Sequence, residues 1–190
     1  MTQNAFLTDV KTLRQRARQH IDEGAVSASH SADRDTVLKL LNDALAIELV
    51  CVLHCRRYYF MAKWFEVKSV ADEFLVHANE EQAHADRIAD RILQLGGEPD
   101  FLPDGLASRS YSEYAQGKSL IDMIMEDLVA ERIAIDVYRE IVEYVGAKDS
   151  TTRRMLEEIL AVEEEHADEL ADLREGMPAK AMGNGRAPSN

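Results

Sequence analysis

Six side chains stand out for what their types and spacing could do together. Glu81-Gln82-Ala83-His84 and Glu163-Glu164-Glu165-His166 are two Glu-x-x-His motifs, and Glu48 and Glu131 stand alone, 33 and 32 residues before the two motif glutamates. A spacing of three puts both side chains of a motif on one helix face. All six interrupt apolar stripes that run at steps of three and four. Glu48 falls in Leu41, Leu45, Val52, Cys55, Tyr59, and Glu81 and His84 fall in Val70, Phe74, His77, Ile88, Ile92, Leu95. Glu131 falls in Leu120, Ile124, Leu128, Ile135, Tyr138, Val142, Val145, and Glu163 and His166 fall in Ile159, Leu170, Leu173. A buried, unpaired carboxylate costs several kcal/mol, and four at one level repel one another. Something cationic must sit among them, and no Lys or Arg occupies the central part of any stripe. Metal ions meet that need. Carboxylate oxygens with one imidazole per ion suit Fe(II) or Mn(II), whereas thiolate-rich sites suit zinc. One Glu-x-x-His on a charged helix is usually a solvated face. Two, each with a lone glutamate at a matching offset on a core stripe, are hard to obtain by chance.

The elements that must position these residues follow from the glycines and prolines. The prolines are Pro99, Pro103, Pro178 and Pro188; residues 25–95 contain neither Gly nor Pro, and residues 118–175 contain only Gly146. Strand-rich chains need turn residues far more often, so the chain reads as all-α. Four long helices are expected over Asp35–Lys63, Ser69–Leu95, Ser119–Val145 and Ser150–Arg174, stopped by glycine where the pattern ends. Helices of matched length suit a four-helix bundle. Short links make antiparallel hairpins of the first and second pairs, and a long crossover joins them, with a short helix expected within residues 110–116 (SYSEYAQ). Residues 1–34 read as an N-terminal arm, with Val10, Leu13, Ala17 and Ile21 marking a short docked helix; 35–175 is the bundle; 176–190 reads as a flexible tail.

Composition narrows the partners. The chain has 190 residues, about one domain's worth, and 22 basic against 35 acidic residues give a net charge of -13. That balance argues against general binding to nucleic acid or anionic membranes, although the basic positions 11–18 keep a DNA contact as the weaker alternative to a docked helix. Two cysteines make no disulfide framework, no apolar run is long enough to cross a membrane, and the first residues lack a signal-peptide pattern. The cytoplasm is the expected compartment.

LNDALAIEL (41–49), NEEQAHADRIADRILQLGGEP (79–99), DLVAERIAIDVYRE (127–140) and LEEILAVEEEHADEL (156–170) resemble the bacterioferritins and their Dps-like relatives over residues 35–175. The resemblance implies a ferritin-like bundle holding two iron ions on Glu48, Glu81, His84, Glu131, Glu163 and His166. It implies ferroxidase chemistry: Fe(II) oxidised by O2 or hydrogen peroxide, and ferric mineral stored in a homo-oligomeric cage. Gln82 stands where bacterioferritins place their haem-ligating Met, so haem is not expected. The segment after Gly176 lacks the pattern of a fifth helix, which favours a dodecamer over a 24-subunit shell. The competing class is a di-iron or di-manganese peroxidase or catalase, or an oxygenase subunit; a rubrerythrin would need paired Cys-x-x-Cys, absent here.

Around the six, other residues are open to two readings. Asp127 lies one turn before Glu131 and is a candidate to orient a metal-bound histidine, or a solvated aspartate. Tyr138, seven residues after Glu131, is a candidate partner for a ligand carboxylate, or plain core. His77 with Glu80 is a candidate third, transient iron site, against a satisfied histidine. Cys51 and Cys55 point near Glu48: oxidant-scavenging thiols or small buried hydrophobes. The aromatic run Tyr58, Tyr59, Phe60, Trp64, Phe65 closes the first long helix, and its pair Trp64–Phe65 reads as core or subunit-interface packing rather than an electron relay.

Overall fold

The computed structural model describes residues 8–19, 21–24, 26 and 32–177; the expected tail beyond Met177, with Pro178 and Pro188, lies outside them. Among the described residues the chain is helical and has no strand. The elements are α1 (Val10–Arg16), a 3-10 turn (Ile21–Glu23), α2 (Arg34–Trp64), α3 (Lys68–Gln94), α4 (Leu106–Arg109), α5 (Leu120–Val145) and α6 (Ser150–Gly176). The four long helices match the expected spans to within a residue or two. None of the described helices is long and apolar enough to cross a membrane.

Local chemistry sets the ends. Ser119 caps α5 by accepting from the Asp122 N–H, and Asp149 caps α6 by accepting from the Thr152 N–H, each satisfying a donor with no partner inside its helix. Gly146 ends α5 at φ +50°, and Gly117 enters it at φ +61°, where a Cβ would lie 2.5 Å from Met123 Cγ. Gly117 therefore needs both its left-handed backbone and its missing side chain. Short links make hairpins of α2 with α3 and of α5 with α6; α2 also packs on α5 and α3 on α6.

The core falls into two apolar clusters. One holds Leu41, Leu45, Ile88, Ile92, Ile141, Val145, Leu156 and Ile159. The other, toward the opposite end, holds Tyr58, Val70, Phe74, Leu120, Ile124 and Leu170. In every long helix the metal-ligand candidates fall between or beside the two clusters. A buried ion pair closes the first end: both oxygens of Asp149 accept from Arg91 Nη2 at 2.9 Å, and Arg91 Nε donates to Thr152 Oγ1 at 2.7 Å.

Three expectations change. Residues 110–116 are not helical; the short helix is α4, just upstream. The reason is that α2 uses that segment's backbone: Tyr58 Oη donates to the Ala115 carbonyl at 2.7 Å, Arg57 Nε donates to the Gln116 carbonyl, and the Ala115 N–H donates to His54 Nε2. An intrahelical ladder would compete for those groups. Second, α1 forms but is not docked, with Val10 61% and Leu13 49% exposed. Its Asp9 cap supports it locally, and so few apolar side chains offer little area to seat. Third, Tyr58 rather than Tyr59 is the buried tyrosine of α2, Val52 is half-buried, and Trp64 is 67% exposed. Trp64 is therefore not core in the single chain.

Candidate metal centre

Each long helix delivers its carboxylate to the same level. Glu48 from α2, Glu81 and His84 from α3, Glu131 from α5, and Glu163 and His166 from α6 are all buried. Nδ1 of His84 lies 2.8 Å from Glu163 Oε1, 3.3 Å from Glu48 Oε2 and 3.9 Å from Glu81 Oε2. Nδ1 of His166 lies 3.2 Å from Glu81 Oε1, 3.7 Å from Glu163 Oε2 and 3.8 Å from Glu131 Oε1. The six thus form two overlapping groups, Glu48/Glu81/His84/Glu163 and Glu81/Glu131/Glu163/His166. Glu81 and Glu163 belong to both, and each turns one oxygen toward each imidazole.

The donor atoms fit metal ions. Glu48 Oε2, Glu81 Oε1, both oxygens of Glu131 and Glu163, and Nδ1 of both histidines are buried with no aligned hydrogen-bond partner. Native interiors leave only a few such atoms per hundred residues, and here eight converge in one place. The electrostatics agree. Burial, then the charges of Glu163 and Glu81, pushes the Glu48 carboxyl well up; burial and the charges of Glu81 and Glu163 do the same to Glu131. Burial lowers both histidines, but the surrounding carboxylates outweigh it, raising His84 to about 12 and His166 to about 11. Without a metal, protons are drawn onto the imidazoles to offset the carboxylate charge.

The surrounding residues sort themselves by contact. Tyr138 Oη donates to Glu48 Oε1, so the tyrosine does meet a candidate ligand carboxylate. Glu80 Oε2 is 2.8 Å from His166 Nε2, which leaves Nδ1 facing the cluster. Glu80 is therefore the carboxylate that orients an imidazole and does not join His77. Asp127, expected in that orienting role, is buried and instead accepts from the Cys55 thiol, whose Sγ lies 3.5 and 3.6 Å from its oxygens. Burial and then the charge of Glu81 raise Asp127 to about 7. Cys51 and Cys55 are free and buried, and burial pushes both thiols up. His77 is fully buried, stacks on His166 with ring centroids 4.0 Å apart, and points Nε2 at Glu169 Oε2, 3.1 Å away. Sequence reasoning missed Glu169 and Glu73. The available signal was Glu73, one turn before His77 on the same face.

Comparisons with known proteins follow the same line. A family model described as a ferritin-like domain matches residues 38–179. A bacterioferritin of Streptomyces coelicolor is 32% identical over 138 residues, covering 70% of this chain and 77% of that protein. One from Mycobacterium leprae is 32% identical over 139 residues, covering 70% and 80%. Among solved structures, a dodecameric thioferritin, the bacterioferritin-related protein of Bacteroides fragilis, superposes with a TM-score of 0.71 at 31% identity, covering 75% of this chain and 86% of that one. Taken with the bundle and the convergent carboxylates and imidazoles, these likenesses place the chain in the ferritin-like family, as a protein of the bacterioferritin type.

Proposed function

We propose that this protein is an iron-storage ferroxidase, with two iron ions per chain held inside one bundle. The observation that carries the reading is the pair of four-residue groups sharing Glu81 and Glu163. In it, Glu81 and Glu163 would be shared between the two ions, Glu48 and Glu131 would each serve one, and His84 and His166 would each hold one ion through Nδ1. When bound, a pair of ferrous ions supplies two electrons, which with two protons convert hydrogen peroxide to two waters, or O2 to hydrogen peroxide. The protein's part is placement. Tyr138 fixes one oxygen of Glu48. Glu80 holds the Nε2 proton of His166 and so keeps Nδ1 free to bind. The apolar clusters on either side limit access of bulk water. The cage is part of the proposal. Phe60, Trp64, Leu93, Leu102, Met125 and Val129 are exposed on the single chain, apolar area suited to contacts between subunits, and the Bacteroides fragilis relative is dodecameric. A cytoplasmic dodecamer without haem is the form we favour.

The test is Fe(II) oxidation followed by absorbance, with native mass measured before and after iron loading. Glu81→Ala and Glu163→Ala should each slow oxidation on the order of 100-fold or more, since even residues that only support ligands cost roughly 10–100-fold. An unchanged rate would sink the reading. A small particle that consumes peroxide and retains no iron would replace storage with a peroxidase.

A further inference from the structure

We propose that Glu73, His77 and Glu169 form a third divalent-cation site that loads Fe(II) into the centre; its loading role rests on the reading of that centre given above. The three residues come from α3 and α6, and one donor atom of each lies within 4.8 Å of the others. His77 Nε2 is 3.1 Å from Glu169 Oε2 and 3.8 Å from Glu73 Oε1. His77 itself is wholly buried, whereas the two carboxylates are 31% and 42% exposed. The cluster therefore spans the protein surface and the interior. Its two carboxylates, Glu73 and Glu169, stand in the wall of an open groove of about 520 Å³ between α3 and α6.

Two further observations point from this site to the centre. The Nδ1 atom of His77 is buried without a hydrogen-bond partner. A donor atom of His77 also falls within 4.8 Å of donors from Glu131 and His166, on whose ring it stacks. One imidazole is thus shared between an outer pair of carboxylates and an inner pair of metal-ligand candidates. The outer carboxylates face each other closely: burial and the charge of Glu169 raise Glu73 above its usual value. A cation between them relieves that repulsion. One nitrogen and two carboxylate oxygens leave room for water ligands, as an exchanging site requires, and suit a divalent ion of the Fe(II) or Co(II) kind. A cation held there has a continuous line of donors to follow inward, from Glu73 and Glu169 through His77 to Glu131 and His166.

Anaerobic Co(II) titration of the apo protein, read by visible absorption and calorimetry, tests this. Wild type should take up three equivalents per chain. The Glu73→Gln/Glu169→Gln variant should take up two and, given limiting Fe(II), oxidise it roughly 10-fold more slowly, a loss of the size seen for residues supporting a metal site. Asp72→Asn/Asp168→Asn removes the same charge from exposed positions of α3 and α6 outside the groove and should keep the third equivalent and the rate, which separates ligation from general attraction. Because Glu73 and Glu169 are partly exposed, unchanged melting of the variant is expected. If wild type and Glu73→Gln/Glu169→Gln bind equal numbers of Co(II), the third site is overturned while the centre stands. If the variant loses an equivalent but oxidises limiting Fe(II) at the wild-type rate, the loading role is overturned. If Glu81→Ala/Glu163→Ala binds as many ions as wild type, the reading of the centre fails instead.

Discussion

Glu48 shows at the scale of one residue how this site is held. Its carboxyl is fully buried, its Oε1 accepts from Tyr138, and its Oε2 is left for His84 or a metal. Tyr138→Phe removes that donor and nothing else, so an oxygen loses its partner in a dry site, at a cost of about 1–3 kcal/mol. We expect the variant to fold and bind Fe(II) or Co(II) roughly 10-fold more weakly, as anaerobic titration would measure; unchanged affinity would mean that Tyr138 is only filler. Residues of this kind were legible in the sequence to the extent that burial broke a pattern. A glutamate on an apolar stripe is visible because nothing else explains its place, which is why all six ligand candidates and Tyr138 could be named. The contacts of Asp127, Glu80 and His77 were not legible. Each sits on the right helix, but which neighbour it meets depends on how helices rotate against each other. Asp127 meets Cys55, and it is Glu80 that meets a ligand-candidate imidazole, that of His166.

Elements show the same division. Helix spans follow from glycine placement and capping, which are local, and they agree with the structure to within a residue or two. The crossover does not, because its conformation is fixed by side chains of α2 reaching across to its backbone. His54 is the clearest case. It is buried, stacks on Tyr58, meets Tyr114 at a tilt, and accepts from the Ala115 N–H. Only a neutral ring can accept there, and burial lowers His54 from 6.5 to about 4. Between those two values the unfolded chain binds the proton and the folded chain does not, so stability falls as pH drops from about 6.5 toward 4. From pH 7 to pH 5 this one group should cost about 2 kcal/mol, or about 4–8 °C in melting temperature for a chain of this size. His54→Gln keeps an acceptor that does not titrate. The apo variant should lose that much less on acidification than apo wild type, by calorimetry at the two pH values.

Across the whole molecule, two apolar ends enclose a charged middle. Without metal, that middle is a layer of carboxylates with unpartnered oxygens, each of which costs stability. A cation that binds only the folded state stabilises it by mass action, about 2.7 kcal/mol at a hundredfold excess over the dissociation constant. Loading the apo protein anaerobically with Co(II) should therefore raise the melting temperature by about 5–11 °C, and a chelator should reverse the shift. Little or no shift would mean the layer is stable without its ions. The net charge of -13 takes on a different meaning at this scale. It argued against nucleic acid as a partner, yet four of the acidic residues, Glu48, Glu81, Glu131 and Glu163, are buried together as candidate metal ligands, with Glu73 and Glu169 partly exposed nearby.

Everything proposed above depends on six named side chains holding a pair of metal ions inside one bundle. Anomalous X-ray scattering from crystals loaded anaerobically with Fe(II) tests it most directly. Two peaks are expected among Glu48, Glu81, His84, Glu131, Glu163 and His166, with Glu81 and Glu163 touching both. A single peak there, or iron bound only elsewhere on the chain, would contradict it.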